Sequence, residues 1–345
     1  MNLLHIFGFK LLIYLVNLLL PVFVSFGLKP LPDTLQKVKS YKNHLSIAPN
    51  FTQIDLNTTL LNQQSKSKIE FRTATATRLG LALDYRWIGL EFFTRLPFNE
   101  KKEKGSTENS GVYLRINKSK FWANGIYQKF TGFYWNNPDQ TTKAELLPGF
   151  FPLRPDMKST FLQISAYYIF RPDKFSNMAA QGENERQLKS GGSFFTGLGF
   201  YFDRINSKNP IVSESQALNF KGQERLNQIT SRSFGLSGGY AHNFVILKKL
   251  YTAFYIAPGL AVFSGNQRYL EGNTVDLKGQ LTLRLDVRIS LGYNSNTYFG
   301  GVLFSNSSNN QNLGIGTSYS YGFSTFRIFF GRRILLKKHF GFLGL

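Results

Sequence analysis

The chain has no cysteine among its 345 residues. That excludes a disulfide framework, a thiolate zinc site, a cysteine nucleophile and a lipid-modified N-terminal cysteine. Histidine is scarce as well, with four in all. His5 and His339 lie near the two ends, so no His cluster supports zinc. Charge is sparse: charged residues make 18%, against the usual quarter or so. Acidic charge is scarcest, with 20 Asp and Glu against 41 Lys and Arg and a net charge of +21. A sustained helical period is missing after residue 28.

What is present is aromatic and small. There are 34 Phe, 17 Tyr and 31 Gly, a composition that argues against disorder. The positive surplus first suggests nucleic acid, which needs Lys and Arg gathered on one face or helix. Here they are scattered, and the densest late group is Arg327, Arg332, Arg333, Lys337 and Lys338. Nucleic acid is therefore not the expected partner. The length suits one large domain or two ordinary ones.

Residues 1–27 hold no Asp, Glu or Arg. Lys10 precedes an apolar run from Leu11 to Leu20, Pro21 follows, and Ser25-Phe26-Gly27 supplies small residues. This is the pattern of a secretory signal peptide, cleaved after Gly27. The expected organisation is a signal peptide at 1–27, a periplasmic N-terminal segment at 28–42, a barrel at 43–333 and a tail at 334–345.

The mature chain alternates with period two. From Leu281 to Tyr293 every odd position is apolar, while the even ones read Thr282, Arg284, Asp286, Arg288, Ser290 and Gly292. Alternate side chains of a strand point to opposite faces. Twelve residue steps span roughly 40 Å at about 3.3 Å each, longer than a soluble strand of about 5–6 residues. A strand crossing a bilayer obliquely needs about 9–11. Leu162 to Phe170, Phe194 to Phe202, Phe234 to Ile246 and Leu313 to Phe323 repeat the pattern. Lipid outside and a polar interior demand this arrangement.

Twelve strands are expected, at 43–57, 68–83, 86–96, 110–117, 120–134, 159–170, 190–203, 232–246, 250–264, 276–293, 297–305 and 313–330. Short and long connections alternate, as in closed outer-membrane barrels. Only 171–189 is long where a short turn is due. A further strand at 174–181 would widen the count to between ten and fourteen. In the last strand the large residues change phase after Phe323, which predicts a β-bulge near Ser324-Thr325. Asn306 to Asn312 reads as a solvated outer loop. Trp87, Trp122, Tyr134 and Trp135, near strand ends, suit interfacial girdles.

Several stretches resemble the domain-of-unknown-function 4421 family of exported bacterial proteins. They are Arg154-Pro155-Asp156, Ala166-Tyr167-Tyr168, Lys174-Phe175-Ser176, Ala179-Ala180, Glu185-Arg186-Gln187 and Lys189 to Phe194. Tyr85 to Leu90, Tyr127-Gln128-Lys129 and Gly132-Phe133-Tyr134 join them. The resemblance covers roughly 40–335. It implies an outer-membrane barrel and carries over no catalytic residue.

The candidate lumen residues are Arg284, Asp286 and Arg288, with Glu91, Arg95 and Arg115. They would either line a path for an anionic solute or form a plug of ion pairs; a small barrel fills its interior with side chains, which favours the plug. His44 and Ser46 share a strand face at a spacing similar to the His–Ser pair of outer-membrane phospholipases. The glycines match no phosphate loop, since no Lys-Ser/Thr pair follows them. The leading reading is an all-β, closed transmembrane barrel of the Gram-negative outer membrane. It needs no metal or cofactor and acts as a narrow porin-like pore, a surface binder or a structural component. Its expected partners are outer-membrane lipids and the barrel-assembly machinery; the solute is left open. The alternatives are a membrane-embedded lipid hydrolase using Ser46 and His44, and a soluble barrel binding lipid inside. The last requires the Leu281–Tyr293 face to point inward.

Overall fold

The computed structural model describes residues 37–74, 77–96, 102–118 and 120–336. The expected signal peptide at 1–27 and the tail from 337 onward lie outside them. Fifteen strands run in order: β1 Val38–Ser40, β2 His44–Asn62, β3 Lys68–Arg72, β4 Thr77–Tyr85, β5 Ile88–Arg95, β6 Glu108–Asn117, β7 Phe121–Trp135, β8 Leu153–Ile169, β9 Glu185–Gln187, β10 Gly191–Asn206, β11 Leu226–Ile246, β12 Leu250–Tyr269, β13 Thr274–Asn294, β14 Tyr298–Gly314 and β15 Thr317–Leu335. One short helix, α1, spans Gln140–Ala144.

Thirteen of these strands form one antiparallel sheet, which closes because β15 pairs with β2. That seam runs from Thr317 opposite Asn62 to Leu335 opposite His44, so β2 and β15 leave no open edge between them. Both β3 and β4 pair with β2, one above the other, and together make one interrupted strand. The wall therefore has twelve staves, as the sequence predicts.

The short hairpin of β5 and β6 leaves a gap at one end of the wall. There β3 bridges directly to β7, with Phe71 opposite Trp135 and Arg72 opposite Tyr134. Thr107 pins this corner, accepting from the Ala74 N–H at 2.8 Å and donating to the Gly132 carbonyl at 2.7 Å. Gly132 has φ +90 and a Cβ there would stand 2.4 Å from the Ser106 carbonyl oxygen, so only glycine fits this bulge.

The two ends differ. At one end the connections are Arg86-Trp87, 118–120, Leu247–Lys249 and Ser295–Thr297; Arg86, Leu247 and Lys248 adopt positive φ to make such tight turns. At the other end lie the longer loops 136–152 and 207–225. The chain enters and leaves the barrel at the short-turn end.

The exterior follows the period-two reading. Leu198, Leu236, Leu260 and Leu283 are successive cross-strand partners on β10 to β13 and are 49%, 60%, 50% and 70% exposed. The Leu281–Tyr293 face points outward, opposite to what a soluble ligand-binding barrel requires.

Four expectations are corrected. There is no bulge at Ser324-Thr325: β15 alternates without a break and pairs in register with both neighbours. Its odd residues from Thr317 to Arg333 face inward, and the interior changes chemistry along the strand, from Tyr319, Tyr321 and Phe323 to Thr325 and Arg327. Asn306 to Asn312 continue β14 rather than forming a loop. The turn falls at Ile315-Gly316, where both residues have positive φ, the backbone of a type I′ hairpin turn. Trp122, Tyr134 and Trp135 are buried, so they do not build a lipid-facing girdle. Finally, 174–181 adds no strand to the wall; it contains a 3-10 turn at Ala179–Gln181.

Candidate functional site

The interior is built in three layers. At the long-loop end it is an apolar core. Ile54, Leu56 and Leu60 of β2 meet Phe130, Phe161, Ile229 and Phe263, and the 207–225 loop adds Ile211, Val212 and Phe220. The walls touch across the lumen here. Phe161 of β8 stacks on Phe323 of β15, with ring centroids 5.1 Å apart and 13° between planes, although β8 and β15 are not sheet neighbours.

The middle layer is charged and aromatic. Arg115 bonds three carboxylates, Asp84 at 3.0 Å, Glu91 at 2.8 Å and Glu183 at 2.9 Å. Glu91 also pairs with Arg327 at 2.9 Å and accepts from the Asn50 amide at 2.8 Å. Across the barrel, Arg284 donates to Tyr321 at 3.0 Å and Ser307 at 2.9 Å, lies 3.7 Å from Asp286, and covers the Tyr201 ring at 3.4 Å from its centroid. Arg288 donates to the Asn177 side chain and lies 5.0 Å from the Tyr255 ring centroid; it makes no ion pair among the described residues. Phe195 and Tyr255 stack at 4.8 Å, next to Trp122 and Tyr167. Between the two charged groups lies a chamber of about 150 Å3, lined among others by Arg288, Arg327, Asp286 and Ser305.

The third layer is the 171–189 segment, folded into the barrel from the short-turn end. β9 pairs with β1 in a two-stranded sheet of its own. Glu183 accepts from Asn117 at 2.9 Å, Asn184 accepts from Ser46 at 2.5 Å, and the Ala180 carbonyl accepts from Ser290 at 2.7 Å. Asn243 donates to the Ser176 carbonyl at 2.8 Å. Arg333 donates to the backbone carbonyls of Glu183 at 3.1 Å and Glu185 at 3.3 Å, and sits over Tyr41 and Phe299. Burial pushes the Glu183 carboxyl up, with Arg115 pulling it back. Burial raises the Glu185 carboxyl too, opposed by the Ser176 hydroxyl.

Of the six residues singled out from the sequence, Arg115, Glu91, Arg284 and Asp286 are buried in this middle layer and Arg288 is half-buried beside them. Arg95 is half-buried at the far end of β5, opposite Arg78, and is not among the residues lining the chamber. Ser46 and His44 form no dyad, because the Ser46 hydroxyl is spent on Asn184 and His44 packs edge-on against Tyr41. His242 is outside, on a ring surface with Tyr240, Phe244 and Phe254. No group of three His, Asp or Glu among the described residues could hold a metal ion.

Sequence reasoning missed Arg327 and Arg333 as lumen residues, because they stood out only as part of the dense basic group near the end of the sequence. It also missed Asn177, Glu183 and Asn184, whose signal was the one long connection where a short turn was due. The residues carrying the family resemblance, Phe175, Ser176, Ala179, Ala180 and Gln187, are buried in this inserted segment.

The sequence matches the family described as "domain of unknown function (DUF4421)" over residues 32–333. The chain belongs to that family. No curated protein matches its sequence. Among solved structures, it is similar to the outer membrane protease OmpT of Escherichia coli at 8% identity, covering 87% of this chain and 99% of that one with a TM-score of 0.40. The Pseudomonas putida toluene transporter TodX gives 8% identity, 86% and 91% coverage and 0.29. OprG of Pseudomonas aeruginosa gives 10%, 86% and 98%, and 0.24. This DUF4421 chain has an all-β fold closed into an antiparallel barrel.

Proposed function

We propose that the protein is a non-enzymatic integral barrel of the bacterial outer membrane whose lumen is held shut from both ends. The observation that carries this is contact across the lumen: Phe161 on Phe323 toward the long loops, and the 171–189 segment bonded to the wall at the other end. Long loops would face outward and both chain ends the periplasm, as in bacterial barrels. Outer-membrane lipids and the barrel-assembly machinery are its partners on this reading. Its role is then structural or at the surface, not that of a permanently open pore. In planar bilayers the purified barrel should pass no steady current; a steady anion-selective current would overturn the proposal.

The exterior supplies a second test. Leu236, 60% exposed at the centre of β11, would lie near the bilayer midplane. There, Leu236→Arg should lower stability by about 2–4 kcal/mol, read as a shift in urea unfolding from lipid vesicles. No shift would mean the exterior is wet.

A gated narrow pore is the second reading, favoured by the arginine-lined chamber of about 150 Å3. The absence of native cysteine makes it easy to probe. Ser305→Cys should resist a water-soluble thiol reagent in the sealed state. Rapid labelling in the unaltered barrel would favour the gated pore.

A further inference from the structure

Five basic side chains form an exposed patch on the barrel's outer wall. Lys129 of β7, Lys158 of β8, Arg204 of β10, Arg232 of β11 and Arg268 of β12 all point outward and are exposed. The strand register places them together. Lys129, Thr160, Arg204, Thr230 and Asn266 are successive cross-strand partners. Lys158 and Arg268 lie in the next row toward the long loops, with Asn206 and Gln228 between them. Arg232 lies in the row on the other side, between Phe202 and Ser264. Neighbouring strands are about 4.8 Å apart and same-face rows roughly 6.6 Å. Lys129 to Arg232, three strands and one row apart, is then roughly 16 Å, within reach of one headgroup by flexible side chains.

The surroundings sort by chemistry. Immediately toward the barrel's middle are exposed apolar side chains: Tyr127, Ile164, Phe200, Phe234 and Val262. Lys129 and Arg204 lean over the rings of Tyr127 and Phe202, at 5.7 and 5.5 Å from the centroids. None of the five makes an ion pair among the described residues. The nearby acid Asp156 is taken by Arg154 at 2.9 Å, Asp276 of β13, opposite Asn266, lies 3.9 Å from Lys278, and Glu108 stands at the patch's edge on β6. The same outward zone on β14 and β15 carries Asn306, Ser308, Asn310, Ser318 and Ser320, with no charge. The positive charge is thus confined to one sector, at the border where apolar wall gives way to polar.

We infer that this sector binds the phosphate groups of a phosphorylated, acylated glycolipid of the external leaflet, with its acyl chains against the apolar row below. The inference rests on the outer-membrane reading, with the long loops outward. Unpaired cations at that border have an anionic headgroup as their natural complement, and each near-surface Lys or Arg strengthens such binding several-fold. A zwitterionic phospholipid would make the unpaired charge a liability, and a solely hydrophobic contact would not need it.

The test uses the full-length mature barrel in phosphatidylcholine nanodiscs and bisphosphorylated lipid A as the probe, with dephosphorylated lipid A and phosphatidylglycerol as competitors. The barrel should prefer the bisphosphorylated form at least about tenfold over both. The fourfold variant Lys129→Gln, Lys158→Gln, Arg204→Gln and Arg232→Gln should lose that preference, while Arg332→Gln, an exposed arginine at the short-turn end, should keep it. Heat-modifiable gel mobility reports whether each variant is folded, and Arg204→Gln with Arg232→Gln serves if the fourfold variant is not. Equal binding of the phosphorylated and dephosphorylated forms, equal competition by phosphatidylglycerol, or full binding by the folded variant would each overturn the inference. Failure of the unaltered barrel to insert at all, seen in the mobility assay, would instead overturn the outer-membrane reading beneath it.

Discussion

Arg115→Met should destabilise the barrel by about 3–5 kcal/mol, the cost of breaking a buried ionic group by removing one partner. A single guanidinium holds Asp84, Glu91 and Glu183 within 3.0 Å. Without it, two strands and the inserted segment present three carboxylates to one buried space, with Arg327 left on Glu91 only. They must then take up protons or draw in water, and each choice costs free energy. The change should appear as a lower urea midpoint in vesicles and a lower temperature for the heat-dependent gel shift. Arg115→Lys should recover only part of the loss, since an ammonium cannot match the fixed fork that reaches three acceptors. Gly89 makes the cluster possible: a Cβ there would stand 2.1 Å from an Asp84 carboxylate oxygen and 3.0 Å from the Arg115 side chain. Arg115→Met combined with Glu91→Met should cost less than the two single changes added, because the residues share one network. A loss below about 1 kcal/mol for Arg115→Met would show that water already screens this layer.

That cluster also shows where the sequence was legible. Period two placed Arg115, Glu91, Arg284, Asp286 and Arg288 on the inward face, because a closed barrel converts alternation directly into inside and outside. The count of twelve staves followed from the same signal. The inside is less legible, because period two predicts a polar interior throughout. Tyr319, Tyr321 and Phe323 are large and apolar, yet they face inward, since the long-loop layer of this lumen is packed like the core of a soluble protein. Reading them as lipid-facing forced a false bulge, although the phase beyond it, with Phe326, Ile328 and Phe330 outward, agrees with the structure. The polar run 306–312 failed for the complementary reason: Asn and Ser have low strand propensity, and only pairing with β13 and β15 makes them a strand. The bonds that join Asn177, Glu183 and Asn184 to Arg288, Asn117 and Ser46 link residues up to 138 positions apart; no local pattern reports such partners.

The two obstructions lie one behind the other along the lumen, and this governs what opening the barrel requires. Replacing 175–186 by a short Gly-Ser turn should leave planar-bilayer conductance at baseline, because Phe161, Phe323 and the residues around them still meet at the long-loop end. Phe161→Ala with Phe323→Ala should also stay silent, because the inserted segment still fills the other end. Only the combination should give discrete open-channel events. The aromatic pair will cost stability as well, since each buried Phe→Ala typically removes about 3–5 kcal/mol, so each variant needs its heat-modifiable mobility checked before recording. In a series arrangement the remaining block sets the current, so the effect is grossly non-additive. Steady current from the segment deletion alone would mean that the apolar layer is permeable and that 171–189 is the only gate. Silence in the folded combined variant would place the block elsewhere, in the middle layer where Phe195 stacks on Tyr255 and Arg284 lies over Tyr201. Ser305→Cys separates the ends independently of current. Deleting 175–186 should expose it to reagent from the short-turn side, whereas the Phe161 and Phe323 changes should expose it only from the long-loop side. The side from which the chamber first becomes reachable therefore identifies which obstruction has been removed, even in variants that carry no current.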